Sequence, residues 1–250
     1  MKAMIFAAGL GTRLRPYTND RPKALVEVAG KPLIEWAIRR LLYCGFDELV
    51  INVHHFGQQI IDFLNQHNGF GAHIIISDER GLLLNTGGGL KKAADHLQDA
   101  PFLIYNTDVL SDIPLDALYQ QHCHSDALAT LVVRERESSR YLLFDENKLL
   151  SGWRHARTGE EKIAREVDAS LPYAFSGIHI ARPDIFDYMP DIEVFSIIDV
   201  YLNAAQHEKL QGYIDTSKYW LDVGKLPALE KAAQLVPHIP FAGVKQKENR

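Results

Sequence analysis

The chain opens on a run of apolar residues, Ala3 to Ala7, that breaks at Gly9-Leu10-Gly11 and continues into Thr12-Arg13-Leu14-Arg15-Pro16. A short apolar run ended by glycines reads as a buried strand leading into a tight turn. Glycines leave no Cβ between backbone N–H groups and a ligand, and such N–H groups bind phosphate oxygens. Thr12 adds a hydroxyl donor, and Arg13 a planar fork of donors suited to phosphate. Two familiar phosphate motifs fail on spacing. The string G-x-x-x-x-G-K-[ST] is absent, and G-x-G-x-x-G finds Leu14 where its third glycine belongs. A bare turn without a ligand is the alternative. Thr12, Arg13 and Lys23 around the turn favour phosphate.

Downstream, strands and helices alternate. The patterns predict a helix over 32–42, stopped near Gly45, and a strand over 48–53. A helix over 58–65 follows, then strands over 73–77 and 101–106 and a helix over 113–121. Alternation of this kind implies right-handed crossovers: an α/β fold with a Rossmann-like, doubly wound, mixed but mainly parallel sheet. After about Asp126 the rhythm changes to strands over 127–133, 140–144, 149–153 and 175–180, then a helix over 196–207 and a strand over 211–214. The polar stretch 154–171 reads as a loop that could lie over a pocket. The end of the chain, with Pro237, Pro240 and a charged terminus, reads as a frayed tail over about the last dozen residues.

Composition narrows the partners. Lys and Arg total 27 against 32 Asp and Glu, a net charge of −5, which disfavours a general nucleic-acid binder. Two cysteines, Cys44 and Cys123, cannot build a disulfide framework or a four-cysteine zinc site, and fit a reduced, cytoplasmic location. No apolar run approaches the roughly 18 residues of a membrane span, and the start is too short before its first glycine for a signal peptide.

The string Ala7-Ala8-Gly9-Leu10-Gly11-Thr12-Arg13-Leu14-Arg15-Pro16, followed by Arg21-Pro22-Lys23-Ala24-Leu25, closely resembles the signature of sugar-1-phosphate nucleotidyltransferases. The resemblance continues through 28–34, Thr86-Gly87-Gly88-Gly89, Asn106-Thr107-Asp108 and Trp220-Leu221-Asp222-Val223-Gly224. Residues 30–53 and 86–89 look most like the N-acetylmuramate-1-phosphate uridylyltransferase branch; mannose-1-phosphate guanylyltransferases share much of it. The resemblance implies a nucleotide-diphospho-sugar transferase-like fold over one domain, 1–250. Its nucleotide-binding half lies at about 1–125, its sugar-phosphate-binding half at about 126–235, and a tail at about 238–250. It implies attack of a sugar 1-phosphate on the α-phosphorus of a nucleoside triphosphate, with pyrophosphate leaving. Both reactants are anions, so positioning and charge neutralisation carry the catalysis. With the chain ending soon after Asp222, no left-handed β-helix domain, and hence no acetyltransferase activity, is expected.

Residue by residue, the resemblance places Arg13 at the β- and γ-phosphates and Lys23 at the α-phosphate and the incoming sugar phosphate, as the catalytic pair. Ala8, Gly9, Gly11 and Thr12 then form the nucleotide loop. Asp108, at the end of the strand over 101–106, and the distant Asp222 are implied to hold Mg2+, whose hard-oxygen preference two carboxylates suit. The family commonly has Gly-Asp where this chain has Thr107-Asp108. As a helix cap before 113–121, Asp112 is better placed than Asp108.

Asn85 and Gly88 are the base-reading candidates, beside backbone near Ala8; the alternative is that 86–89 merely starts a helix over 90–97. Many relatives carry Glu-Lys-Pro on the strand over 149–153. Here the strand reads Leu150-Ser151-Gly152-Trp153-Arg154, so that motif is missing, and Glu160-Glu161-Lys162 lies farther on. Trp153 and Arg154, or Glu161 and Lys162, are thus open alternatives for sugar contact. Gly177 matches the family's sugar-side strand, and Asp222 also counts as substrate-binding. His122-Cys123-His124 lacks a fourth zinc ligand and reads as a helix end on the surface. Leu41, Leu42 and Phe46 read as core.

The expected substrates are UTP and N-acetylmuramic acid 1-phosphate, with GTP and mannose 1-phosphate second. No nucleic-acid or membrane partner is expected, and the oligomeric state is open, a homo-oligomer included. A non-catalytic regulatory paralogue should have lost Arg13, Lys23 or the aspartates, all of which are present. A nicotinamide dehydrogenase is weakened by Leu14.

Overall fold

A computed structural model of the protein describes residues 1–243. The chain divides into two compact units. The first takes Met1–Leu83, Tyr105–Ala117 and the chain from Ser217; the second takes Leu84–Ile104 and Leu118–Thr216. Each is discontinuous in sequence, where the change of rhythm divided the chain once.

In the first unit, strands Lys2–Phe6, Glu48–Val53 and His73–Asp78 pair in parallel, with Ile5 opposite Ile51 and Ile51 opposite Ile76. Parallel strands need crossovers, and helices Leu33–Tyr43 and Gly57–Gln66 supply them. The apolar positions of the first helix, Leu33, Ile34, Trp36, Ala37, Ile38 and Leu41, are all buried. Leu41 and Phe46 are core, as expected, whereas Leu42 is half-buried. A smaller antiparallel pair joins Val109–Ser111 to Trp220–Asp222. Neither of these strands was legible in the sequence, because each is only three residues long.

The end of the described chain corrects the frayed tail. Phe241 is 4% exposed, its ring centroid 4.7 Å from that of Trp36, and Ala242 N–H donates to Arg39 O at 3.0 Å. Burying one such aromatic stabilises by roughly 1.5–3 kcal/mol, enough to hold a short segment down. Residues 244–250 lie outside the described part.

The second unit is mainly antiparallel. Glu161–Ile163 pairs Leu150–His155, which pairs Arg140–Phe144, which pairs Leu171–Ala181. Leu171–Ala181 also pairs Ala129–Arg134, to which Leu210–Ile214 adds in parallel. The stretch 154–171 is therefore not one loop. Glu161 and Lys162 stand opposite Arg154 and Trp153 in a hairpin, across which an exposed ion pair sets Arg154 Nε 2.5 Å from Glu161 Oε1.

Helix Asn85–Lys92 takes in the glycines, so they do start a helix, as the alternative reading had it, but one that ends at Lys92 and does not run over 90–97. Glycine is a poor helix former, but here close packing overrides propensity. A Cβ on Gly87 would stand 2.4 Å from Phe195 Cδ2, and one on Gly88 only 1.9 Å from the carbonyl oxygen of Glu193. His122 corrects the surface reading of its cluster. It is 1% exposed with Nδ1 2.8 Å from Thr130 Oγ1, while Cys123 and His124 are exposed.

Candidate active site

Four charged side chains named from the sequence meet in the first unit. Lys23 and Asp108 form an ion pair through Nζ and Oδ2. Lys23 opens the short 3-10 turn Lys23–Leu25, entered through Pro22 at φ −71° and ψ 154°. Proline's ring fixes that φ and so aims the residue that follows.

Asp222 reaches Asp108 through the small antiparallel ladder. Its register sets Asp222 opposite Val109, and Val223 N–H donates to Asp108 O at 2.8 Å. A ladder therefore brings together two carboxylates that are remote in sequence. Tyr105 braces the turn that carries Asp108: its buried hydroxyl donates to Val109 O at 2.9 Å, spanning Asn106, Thr107 and Asp108. Asp112 does not cap a helix. Its Oδ1 accepts from Tyr219 N at 3.0 Å and fastens the same ladder, while the helix starts at Leu115.

Burial pushes the Asp108 carboxyl up, but the Lys23 ammonium outweighs burial and holds it below the usual carboxylate range. Asp222 is raised, first by burial and then by the negative charge of Asp108, with Lys23 and Arg13 acting against the rise. One acid of the pair is thus held ionised and the other pays for its neighbour's charge. Two neighbouring carboxylates offer the hard oxygen donors a divalent cation takes.

Gly224 provides the room. A Cβ there would lie 2.6 Å from Asp222 Oδ1 and 3.2 Å from Arg13 Nη2. The missing side chain lets the carboxylate and the guanidinium share one corner. Sequence reasoning quoted Gly224 within its motif but gave it no role; the signal was the glycine two residues after the acid.

The loop from Ala8 behaves as its glycines require. Gly11 has φ +65°, and a Cβ on it would meet Lys23 Cβ at 2.9 Å and Thr18 Cγ2 at 3.0 Å. Its carbonyl accepts from Leu14 N–H and from Thr18 Oγ1, both at 2.9 Å. Ala8 is buried, whereas Gly9, Thr12 and Arg13 are exposed, so donors face solvent at the loop's crest. Apolar neighbours anchor the charged residues. Leu14 beside Arg13, and Val223 beside Asp222, are both fully buried in one cluster with Val28, Leu110 and Trp36.

The other named residues lie in the second unit. Asn85 begins its helix at φ +62°, exposed, with its own Oδ1 accepting from Thr86 N at 2.8 Å. Gly88 is buried against the Glu193 carbonyl. Gly177, at φ +74°, sits where the pairing of Leu171–Ala181 with Ala129–Arg134 shifts register between Phe175 and His179. Lys162 Nζ lies 5.7 Å over the Trp153 ring and 2.7 Å from Asp199 Oδ1.

The Nucleotidyl transferase family profile matches residues 2–238, and the chain belongs to that family of enzymes. It is 35% identical over 235 residues to N-acetylmuramate alpha-1-phosphate uridylyltransferase of Neisseria meningitidis serogroup B, covering 94% of this chain and 98% of the relative. It is also 35% identical over 243 residues to the protein of the same name from Caulobacter vibrioides, covering 93% and 95%. The solved inositol-1-phosphate CTP transferase of T. maritima superposes with a TM-score of 0.75 at 16% identity, covering 96% and 97%, and shares the fold. No helix among the described residues is long and apolar enough to cross a membrane.

Proposed function

We propose that the protein joins UTP to N-acetylmuramic acid 1-phosphate, giving the UDP-sugar and pyrophosphate, with Mg2+ as its cation. The observation that carries the reaction is the meeting of Arg13, Lys23, Asp108 and Asp222 beside a glycine-rich loop in one unit. Substrate choice is supported by the two uridylyltransferases, each matched over nearly its whole length.

In this reading an oxygen of the sugar phosphate attacks the α-phosphorus. The new P–O bond forms as the bond to the bridging oxygen breaks, and pyrophosphate leaves with the electron pair. Backbone N–H groups from Ala8 to Thr12 bind triphosphate oxygens, and Arg13 clamps the β- and γ-phosphates as a bidentate donor. Lys23, held by Asp108, neutralises the α-phosphate and draws in the second anion. Asp108 and Asp222 would hold the cation, which would supply charge neutralisation at the triphosphate. The nucleotide supply of the cytoplasm suits such an enzyme.

The test is pyrophosphate release across four nucleoside triphosphates and a set of sugar 1-phosphates: N-acetylmuramic acid, mannose, glucose and N-acetylglucosamine. The greatest kcat/KM is expected for UTP with N-acetylmuramic acid 1-phosphate. A larger value in another cell overturns the substrate assignment. A blank grid from folded protein overturns the reaction.

A further inference from the structure

The peptide at which the first strand gives way to the glycine loop is gripped from both sides. On one side the carbonyl of Phe6, the last residue of strand Lys2–Phe6, accepts from Thr107 Oγ1 at 2.5 Å and Thr107 N at 3.3 Å. On the other, Ala7 N–H donates to Asn52 Oδ1 at 2.7 Å. Asn52 is itself fixed, since its Nδ2 donates to Glu79 Oε1 at 2.7 Å. The backbone carbonyl of Glu79 in turn contacts His54 Nδ1 at 2.7 Å. Asn52, Glu79 and Thr107 are all at most 4% exposed.

Buried polar side chains are costly unless satisfied, and satisfied ones specify position more than they add stability. Asn52 and Thr107 reach one peptide, from the neighbouring parallel strand, Glu48–Val53, and from the turn carrying Asp108. Thr107 immediately precedes Asp108, and Ala7 immediately precedes Ala8. The hydroxyl therefore ties the residue before the acid to the Phe6 carbonyl, and the other half of that same peptide, Ala7 N–H, leads into the loop.

We propose that Thr107 and Asn52 are positioning residues that clamp the Phe6–Ala7 peptide and so preform the loop for a nucleoside triphosphate at a set place relative to Asp108. The clamp rests on the reading of the loop from Ala8 to Arg13 as the nucleotide site. A loop held in this way loses less conformational freedom when the nucleotide binds, so the clamp acts on nucleotide affinity and leaves sugar-phosphate affinity alone.

The test compares Thr107→Val, which keeps the shape and deletes the hydroxyl, with Thr107→Ser, which keeps the hydroxyl, and with Asn52→Leu. Mg-UTP binding is read by calorimetry without sugar phosphate, KM for both substrates by pyrophosphate release, and folding by thermal melting. Thr107→Val and Asn52→Leu are expected to weaken Mg-UTP binding about five- to tenfold, the effect of one lost hydrogen bond. The KM of the sugar phosphate should not move, and Thr107→Ser should restore binding to within about twofold of wild type. Unchanged Mg-UTP affinity in folded Thr107→Val overturns the clamp, as does an equal rise of both KM values that Thr107→Ser fails to correct. Should Thr107→Val not fold, Asn52→Leu decides by the same criteria. Wild-type protein that binds no nucleotide overturns the reading of the loop, and the clamp with it.

Discussion

Lys23 and Asp108 form a partly buried ion pair, with each side chain 15% exposed, and the negative charge of the same Asp108 acts on Asp222 and raises it. The cation therefore stands at one end of a carboxylate pair. Lys23→Ala removes the charge that lets both acids ionise together. The melting temperature without divalent cations should fall, and Mg2+ should raise it more in the variant than in wild type. Turnover should drop about 10²–10³-fold, the usual effect of deleting a preorganised charge at a phosphoryl centre. Near-normal kcat/KM would remove Lys23 from the phosphates.

Asp108→Asn keeps the shape and deletes the charge. It should abolish most turnover and shift Mg2+ activation to higher concentration, while circular dichroism and the melting curve stay close to wild type. Full activity at the wild-type Mg2+ requirement would sink the assignment of Asp108 to the cation.

Gly224→Ala tests the corner that Asp222 and Arg13 share. The added methyl would stand 2.6 Å from Asp222 Oδ1, so the carboxylate must swing away. A displacement of about 1 Å at a reacting centre costs on the order of 10²-fold in rate. The expected result is a kcat loss of that size in a protein that still melts cooperatively. A variant with wild-type kcat would mean that the room at Gly224 is not used.

The acid limb of stability should report on two buried histidines. Burial lowers His122 to about 4, aided by Arg182, and burial lowers His179 to about 3. Both bases are neutral when folded and titrate near 6.5 when unfolded, so the unfolded chain takes up the protons. Their contribution is fully present above about pH 6.5 and is lost as pH falls toward 4. The slope is about 1.4 kcal/mol per pH unit for each histidine. His122→Gln should flatten the dependence of unfolding free energy on pH between 6 and 4.5 by about one proton. An unchanged slope would show that His122 does not titrate on unfolding.

The first strand, the two crossover helices of the first unit and the glycine turn were legible because each follows one strong local rule. Alternation and apolar periodicity define Glu48–Val53 and Leu33–Tyr43, and the glycines mark the turn at Gly11. What was not legible depends on distant partners. The helix from Asn85 runs through three glycines because Phe195 and Glu193 press against them. Ser111 and Trp220 lie in strands only because they pair with each other. His122 looked like a surface residue because its helix end is polar, yet Thr130 draws it inside. For the candidate site, the charged residues could be named from motifs, while Gly224, Asn52 and Thr107 needed coordinates to acquire a task.

The ladder that brings Asp222 to Asp108 has a consequence for biosynthesis. A chain emerging from the ribosome completes its glycine loop, Lys23 and Asp108 early, but the second acid arrives only after all of the second unit has been made. Until the strand Trp220–Asp222 emerges, Val109–Ser111 is without its partner strand and Lys23 faces a single carboxylate. Closure of so long a loop is slow relative to local helix formation. The carboxylate pair is therefore among the last features to be assembled, so an unfinished chain carries one acid of the pair without the other.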